Sequence, residues 1–536
     1  MIIRAARRKP QFIFEETKVF KSTLLSIALL FSFTGASFAQ QSSQQRPTNV
    51  PPAAQPAAQP APAPVPDEPP VVTKHEIRLD ERTIKYTVTT GMMPIKNQVS
   101  GETEARMFFM AYTLDGVSDP SKRPLMFSFN GGPGSSSVWL HLGALGPKRV
   151  KMQDDGMMPA PPYQLVTNEH TWLDLTDLVF IDPVGTGYSR AARPELASKF
   201  LGLNGDLDSV GEFIRMYLTR SERWASPLFL VGESYGTTRA SGLSGLLVDR
   251  GVAFNGVLLI STIMNFQTAR FAPGNDLPLI LILPSYTATA WYHKKLPADM
   301  QRQPLRKVLD EAEKWAINEY QIALSRGDRL AGQERQKVIK QMARYTGLGE
   351  TFIDNCDLRV ELGKFNKELL REQKRTTGRL DSRFTGIDSR AAGDGPEFDP
   401  SMTAIRPPYT AALNDYVRRE LDFKNDSVYH ILGGGFTAPW NWNADNAYAD
   451  TSVALKSAFS KNPFMKLFIA YGYYDMATPY FAAEYTIDHM SLDPGLKANI
   501  KTAYYEAGHM MYIDLKSLAK LKQDMATFIR DAVPTK

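Results

Sequence analysis

The sequence predicts an α/β fold, a mostly parallel, doubly wound sheet carrying an inserted helical cap. Two observations predict it. Leu178-Val-Phe-Ile181, Leu228-Phe-Leu-Val231 and Gly256-Val-Leu-Leu-Ile260 are short apolar runs. They are separated by helical patterns such as Val210, Phe213, Ile214, Tyr217 and Leu218, as βαβ units with both sheet faces covered require. The pattern then lapses from residue 266 and resumes at Lys466-Leu-Phe-Ile-Ala-Tyr471, so a long insertion divides one sheet into two stretches of chain.

The 536 residues exceed one ordinary domain, and 43% apolar with 22% charged residues suits a globular chain. A net charge of +5, from 62 basic and 57 acidic residues, leaves no basic excess to suggest a nucleic-acid partner. Lys18 and Lys21 precede the apolar stretch Ser22 to Phe33, and Gly35-Ala-Ser-Phe-Ala39 places small residues where a signal peptidase cuts. Residues 1–39 are therefore read as a signal peptide, too short to span a bilayer. An exported product, periplasmic or secreted, with no membrane span in the mature chain is expected. Residues 40–71, rich in Gln, Pro and Ala, are read as an extended linker that cannot bury enough apolar surface to fold. The one cysteine, Cys356, excludes an internal disulfide.

From residue 72 the runs Glu76–Leu79, Thr83–Val88, Met107–Thr113 and Leu125–Phe129 are expected to open the sheet in antiparallel fashion. Residues 72–265 and 446–536 form the predicted main domain and 266–445 the predicted cap. Within the cap, 296–369 is charged and helix-forming, with Leu309, Ala312, Trp315, Ala316 and Tyr320 at helical spacing, and 379–399 is polar and loop-like. Leu277–Leu283 is apolar, interrupted by Pro278 and ended by Pro284, and is expected to pack near the site. Gly433-Gly-Gly-Phe436 with Trp440 and Trp442 reads equally as cleft lining or as loop packing.

The chemistry centres on Gly232-Glu-Ser-Tyr-Gly236, which follows the strand at 228–231 and precedes a predicted helix at 240–248. A G-x-S-x-G turn between strand and helix pushes its serine hydroxyl out at the end of a sheet, as in α/β-hydrolases. A serine needs a base, and in that fold the partners follow in the order Ser, acid, His. His489 and His509 lie well beyond Ser234, in the last part of the chain. His489 sits in a helix-like stretch, whereas His509 follows the strand-like Lys501–Tyr505 through Ala507 and Gly508. Asp475, just past the strand ending at Tyr471, is the expected acid in preference to Asp488 or Asp514. Ser234, Asp475 and His509 are thus the expected catalytic residues, needing no metal or other cofactor. The backbone N–H of Tyr235 is one expected oxyanion donor.

Five segments in order resemble the serine carboxypeptidase family: Phe129-Asn-Gly-Gly-Pro-Gly-Ser-Ser-Ser137, Asp182-Pro-Val-Gly-Thr-Gly-Tyr-Ser189, Gly232–Gly236, Tyr471-Gly-Tyr-Tyr-Asp475 with Thr478-Pro479, and Ala507-Gly-His-Met510. The resemblance covers residues 75–265 and 463–530. It implies Gly132 as the second oxyanion donor, and Asn130, Glu233 and Met510 at the substrate. In that family an asparagine, two acids and a tryptophan bind a peptide's terminal carboxylate. Here Ser128 stands for the tryptophan, Ala144 for the second acid, and Ser135 for a common cysteine. Glu233 alone holds a carboxylate only when protonated, and without a carboxyl partner it is expected to lose that proton at lower pH than in relatives with both acids. The expected function is removal of C-terminal residues from peptides at mildly acidic pH. The alternative is an esterase or acyltransferase using the same triad; the oligomeric state is not legible.

Overall fold

The computed structural model describes residues 68–79 and 81–533. The predicted signal peptide and most of the predicted linker lie outside the described residues; the linker's last residue, Val71, opens the first strand. Nine main strands form the sheet: β1 (Val71–Leu79), β2 (Arg82–Lys96), β3 (Thr103–Leu114), β4 (Leu125–Phe129), β5 (Asp177–Ile181), β6 (Leu228–Ser234), β7 (Gly256–Thr262), β8 (Lys466–Gly472) and β9 (Ile500–Tyr505). Their order is β1-β2-β3-β5-β4-β6-β7-β8-β9. The first three strands are antiparallel and β3 joins β5 antiparallel, after which every neighbour is parallel. This is an α/β-hydrolase fold. Leu125–Phe129 departs from the antiparallel start expected for it: its five residues are fully buried between two parallel neighbours.

Alternation along the strands feeds two cores. In β4, Leu125, Phe127 and Phe129 face the helices α1 (Leu203–Arg220) and α2 (Tyr235–Asp249), while Met126 faces the opposite layer. The insertion between β7 and β8 begins with α3 (Leu277–Tyr292), which continues eight residues past Pro284 instead of ending there. Proline removes one backbone donor, but α3 is apolar and buried nearly all round, so its packing outweighs that loss. With α4 (Leu305–Trp315) and α5 (Gly332–Thr346) it builds a separate apolar cluster that reaches Met476 beside the site. A further helix, α6 (Pro400–Arg419), carries Pro407 and Pro408 internally and packs against the sheet's own core. The chain returns through α7 (Ser452–Lys461) and α8 (Tyr480–Asp488) and closes with α9 (Leu515–Ala532), whose apolar face covers the sheet. No helix of the described residues is long and apolar enough to cross a membrane.

Candidate active site

Register decides which loops meet. Phe129 of β4 lies opposite Gly232 of β6, so the Asn130 loop and the Ser234 turn leave adjacent strands at the same level. Gly472 of β8 likewise lies opposite Tyr505 of β9, which sends Asp475 and His509 off the same edge together. All four segments emerge at the carboxyl ends of parallel strands, where such sheets bind ligands.

Ser234 ends β6 and α2 starts at the next residue. Its φ of 60° and ψ of −130° are a conformation a non-glycine residue rarely holds, so the surrounding packing must impose it. The Tyr235 N–H opens α2, where no intrahelical carbonyl claims it and the helix dipole favours negative charge. Beside it, Gly131 lies so close that a Cβ there would stand 2.4 Å from the Tyr235 nitrogen. Gly132 follows with φ of +100°. The Tyr235 side chain points away from the cavity, its hydroxyl donating to Asp206 at 3.1 Å and its ring packed near Trp440 and Trp442. Phe436 packs over Gly134 and Gly185, so this aromatic segment supports the glycine loop from behind.

Asp475 is fully buried and accepts hydrogen bonds from the Ala477 N–H at 2.8 Å and the Thr478 N–H and hydroxyl at 3.0 and 2.6 Å. Its Oδ2 is 2.7 Å from His509 Nδ1. Burial by itself drives the His509 proton affinity down, but the charge and hydrogen bond of Asp475 override it, and the net shift is upward. The polar loop at 379–399 supports the histidine. Leu380 C=O accepts the His509 N–H at 2.7 Å, and Asp381, paired with Arg383 at 2.7 Å, accepts the Gly508 N–H at 3.0 Å. From the other side, the Ser261 hydroxyl donates to the His509 carbonyl.

Ser234 and His509 line one cavity of about 140 Å³ together with Asn130, Gly132, Glu233 and Met510. Every sequence-predicted site residue is therefore at this cavity except Asp475, behind His509, and Tyr235, which contributes backbone only. Leu277–Leu283 packs in the helical insertion and does not line it. A larger hollow of about 730 Å³ lies elsewhere, and its charged groups pair with one another, Lys199 with Glu104 and Arg250 with Asp208.

Two features of the site escape a reading of the motifs. Arg239, buried in α2, donates to Asp206 at 2.8 Å and to the Asn130 carbonyl at 2.7 Å, fixing the start of the glycine loop from beneath. Tyr512, three residues after His509, donates to the Glu233 carboxyl. Burial pushes Glu233 up to about 7 against the smaller opposing effects of His509 and Tyr512. The Asn130 side-chain oxygen accepts from the Leu140 N–H at 3.0 Å.

A family model described as serine carboxypeptidase matches residues 81–523. The chain belongs to the serine carboxypeptidase family. Serine carboxypeptidase-like 8 of Arabidopsis thaliana is 30% identical over 161 residues, 29% of this chain and 34% of that protein. A pheromone-processing carboxypeptidase of Talaromyces marneffei is 28% identical over 162 residues, 28% of this chain and 22% of that protein. These matches span about a third or less of the relatives' own length. The structure of a prohormone-processing carboxypeptidase from Saccharomyces cerevisiae superposes with a TM-score of 0.52 at 16% identity, covering 83% of this chain and 91% of that one, a likeness of fold.

In this member of the serine carboxypeptidase family, the positions that depart from the family pattern have visible consequences. Ser128 is buried in β4 with its hydroxyl unpaired among the described residues, and Ala144 is buried in the turn that follows Leu140. Tyrosines crowd that turn: a Cβ on Gly143 would stand 2.5 Å from the Tyr512 ring and 2.7 Å from the Tyr409 hydroxyl. Ser135 accepts the Trp139 indole N–H at 2.8 Å, a polar role a half-cystine would not fill.

Proposed function

We propose that this chain is an exported bacterial serine carboxypeptidase that removes C-terminal residues from peptides through an acyl-enzyme on Ser234. The observation that carries the proposal is the 2.7 Å contact of His509 with Asp475, made by a histidine that shares a cavity with Ser234. In this reading Ser234 Oγ attacks the scissile carbonyl as His509 Nε2 takes its proton, and the same proton passes to the leaving amine. Asp475 holds the Nδ1–H tautomer and stabilises the imidazolium. The oxyanion is bound by the N–H groups of Gly132 and Tyr235, each such donor contributing about 3 kcal/mol in the transition state. Water then repeats the sequence on the acyl-enzyme.

The terminal carboxylate of the peptide is assigned to Asn130 and Glu233, with Met510 lining the subsite. Burial supports this assignment, because it keeps Glu233 protonated up to about pH 7 without a second acid, so that it donates rather than repels. Residues 1–39 serve export, 72–265 and 446–536 form the hydrolase domain, and 266–445 form the cap. The substitutions at Ser128 and Ala144 favour one alternative, an esterase or acyltransferase using the same residues. Covalent labelling by a fluorophosphonate, lost in Ser234→Ala, tests the nucleophile. Turnover of a free peptide but not of its C-terminal amide supports the exopeptidase, and equal or better turnover of blocked esters supports the alternative.

A further inference from the structure

The loop that holds His509 also places an arginine in the lining of the cavity. Arg379 lines the cavity beside Ser234 and His509, one residue before the Leu380 carbonyl that anchors the histidine. Its backbone is fixed, the N–H donating to Asp399 at 3.1 Å and the carbonyl accepting from the Met476 N–H at 3.1 Å. Its guanidinium is exposed and makes no ion pair or hydrogen bond among the described residues, whereas the neighbouring Arg383 is buried and held by Asp381.

The rest of the lining sharpens the point. Trp139, Met402, Ile405, Leu432, Ala477 and Met510 are apolar, and the one carboxyl among the lining residues is Glu233. Asp475 is occupied by His509 and Thr478 behind the wall. The cavity mouth therefore presents a guanidinium on an anchored backbone, unpaired among the described residues and close enough to His509 for its field to oppose the imidazolium. A guanidinium in that setting attracts an anion, and its planar fork matches a carboxylate.

We propose that Arg379 is a specificity-determining residue that pairs with a carboxylate of the substrate. The proposal rests on the reading of this cavity as the peptide site. The carboxylate comes either from the peptide's C-terminus or from an acidic side chain next to the scissile bond, and the two sources are separable.

The test is made on Ser234→Ala, which turns nothing over, so that it does not depend on catalysis. Calorimetry compares N-blocked Phe-Leu with its C-terminal amide, and N-blocked Glu-Leu amide with Gln-Leu amide, on Ser234→Ala and on Ser234→Ala with Arg379→Gln. Arg379→Gln is expected to reduce the preference for the charged member about tenfold in one pair. Arg379→Lys should keep part of that preference, because it keeps the charge and loses the fork. Loss in the first pair assigns the C-terminal carboxylate, and loss in the second assigns an acidic side chain. An unchanged preference in both pairs overturns the proposal. Binding that depends on Arg379 in a wild-type protein that no fluorophosphonate labels would overturn the proposed function and leave this inference standing.

Discussion

The Tyr512 hydroxyl donates to the Glu233 carboxyl within a buried pocket next to Ser234. This pairing joins the residue before the nucleophile to the segment after the base. It gives Glu233 a hydroxyl neighbour that donates, where the family pattern has a second carboxyl at the position of Ala144. A carboxyl so buried is neutral at mildly acidic pH, and that neutrality makes it a donor to an anionic ligand.

For free-carboxylate peptides, KM should rise as pH passes about 7, where Glu233 ionises, while amide-blocked peptides show no such rise. The Tyr512 hydrogen bond favours the ionised form, so Tyr512→Phe should move the rise to higher pH. Glu233→Gln should abolish it. Profiles of KM against pH for the three proteins decide the matter, and a rise that persists in Glu233→Gln refutes the assignment.

The same group makes stability depend on pH. Glu233 has an ordinary value of 4.5 and a folded value of about 7, so the folded chain binds more protons between them. Stability contributed by the neutral form is intact below 4.5 and declines as pH rises through that window, by about 3 kcal/mol in all. Glu233→Gln should lack this decline. Denaturant midpoints of both proteins at several pH values between 4 and 8 measure it, and parallel curves would contradict it.

Asp475 and Asp514 are two acids with different partners, His509 for the first and Arg383, at 3.6 Å, for the second. Asp475→Asn should lower kcat about 10,000-fold, because the amide presents the wrong partner to Nδ1. Asp514 caps α9 through the Ser517 N–H at 2.8 Å, a duty asparagine also performs, so Asp514→Asn should change kcat little. Steady-state kinetics on the two variants checks this, and the opposite ranking would mean that another group orients His509.

Arg239 and Asp206 form an ion pair that is almost wholly buried. Arg239→Met leaves Asp206 uncompensated and should cost about 3–5 kcal/mol of stability. The double replacement Asp206→Leu with Arg239→Met should recover much of that loss, since two apolar groups leave no stranded charge. Urea unfolding of the single and double variants tests the coupling. Equal destabilisation in both would show that the pair is not the cause.

Local chemistry made several elements legible in the chain itself. The strand, turn and helix around Ser234 are contiguous, so apolar runs and glycines within about twenty residues specify them. Asp475 and His509 were readable because each follows the end of a strand, a buried one in the case of Asp475, and chain order selects among the acids and histidines. Proline hid α6 and the second half of α3, because their helices are held by burial on surfaces contributed from elsewhere. The parallel pairing of Leu125–Phe129 was equally hidden, since its neighbours Asp177–Ile181 and Leu228–Ser234 are far along the chain. Tertiary structure alone decided that Tyr512 meets Glu233, that Arg239 grips the Asn130 carbonyl and that Arg379 opens onto the cavity. Each is a contact or placement across 100 or more residues of chain. Such neighbours are brought together by sheet register and by the fold of the insertion, and no periodicity along the sequence records them.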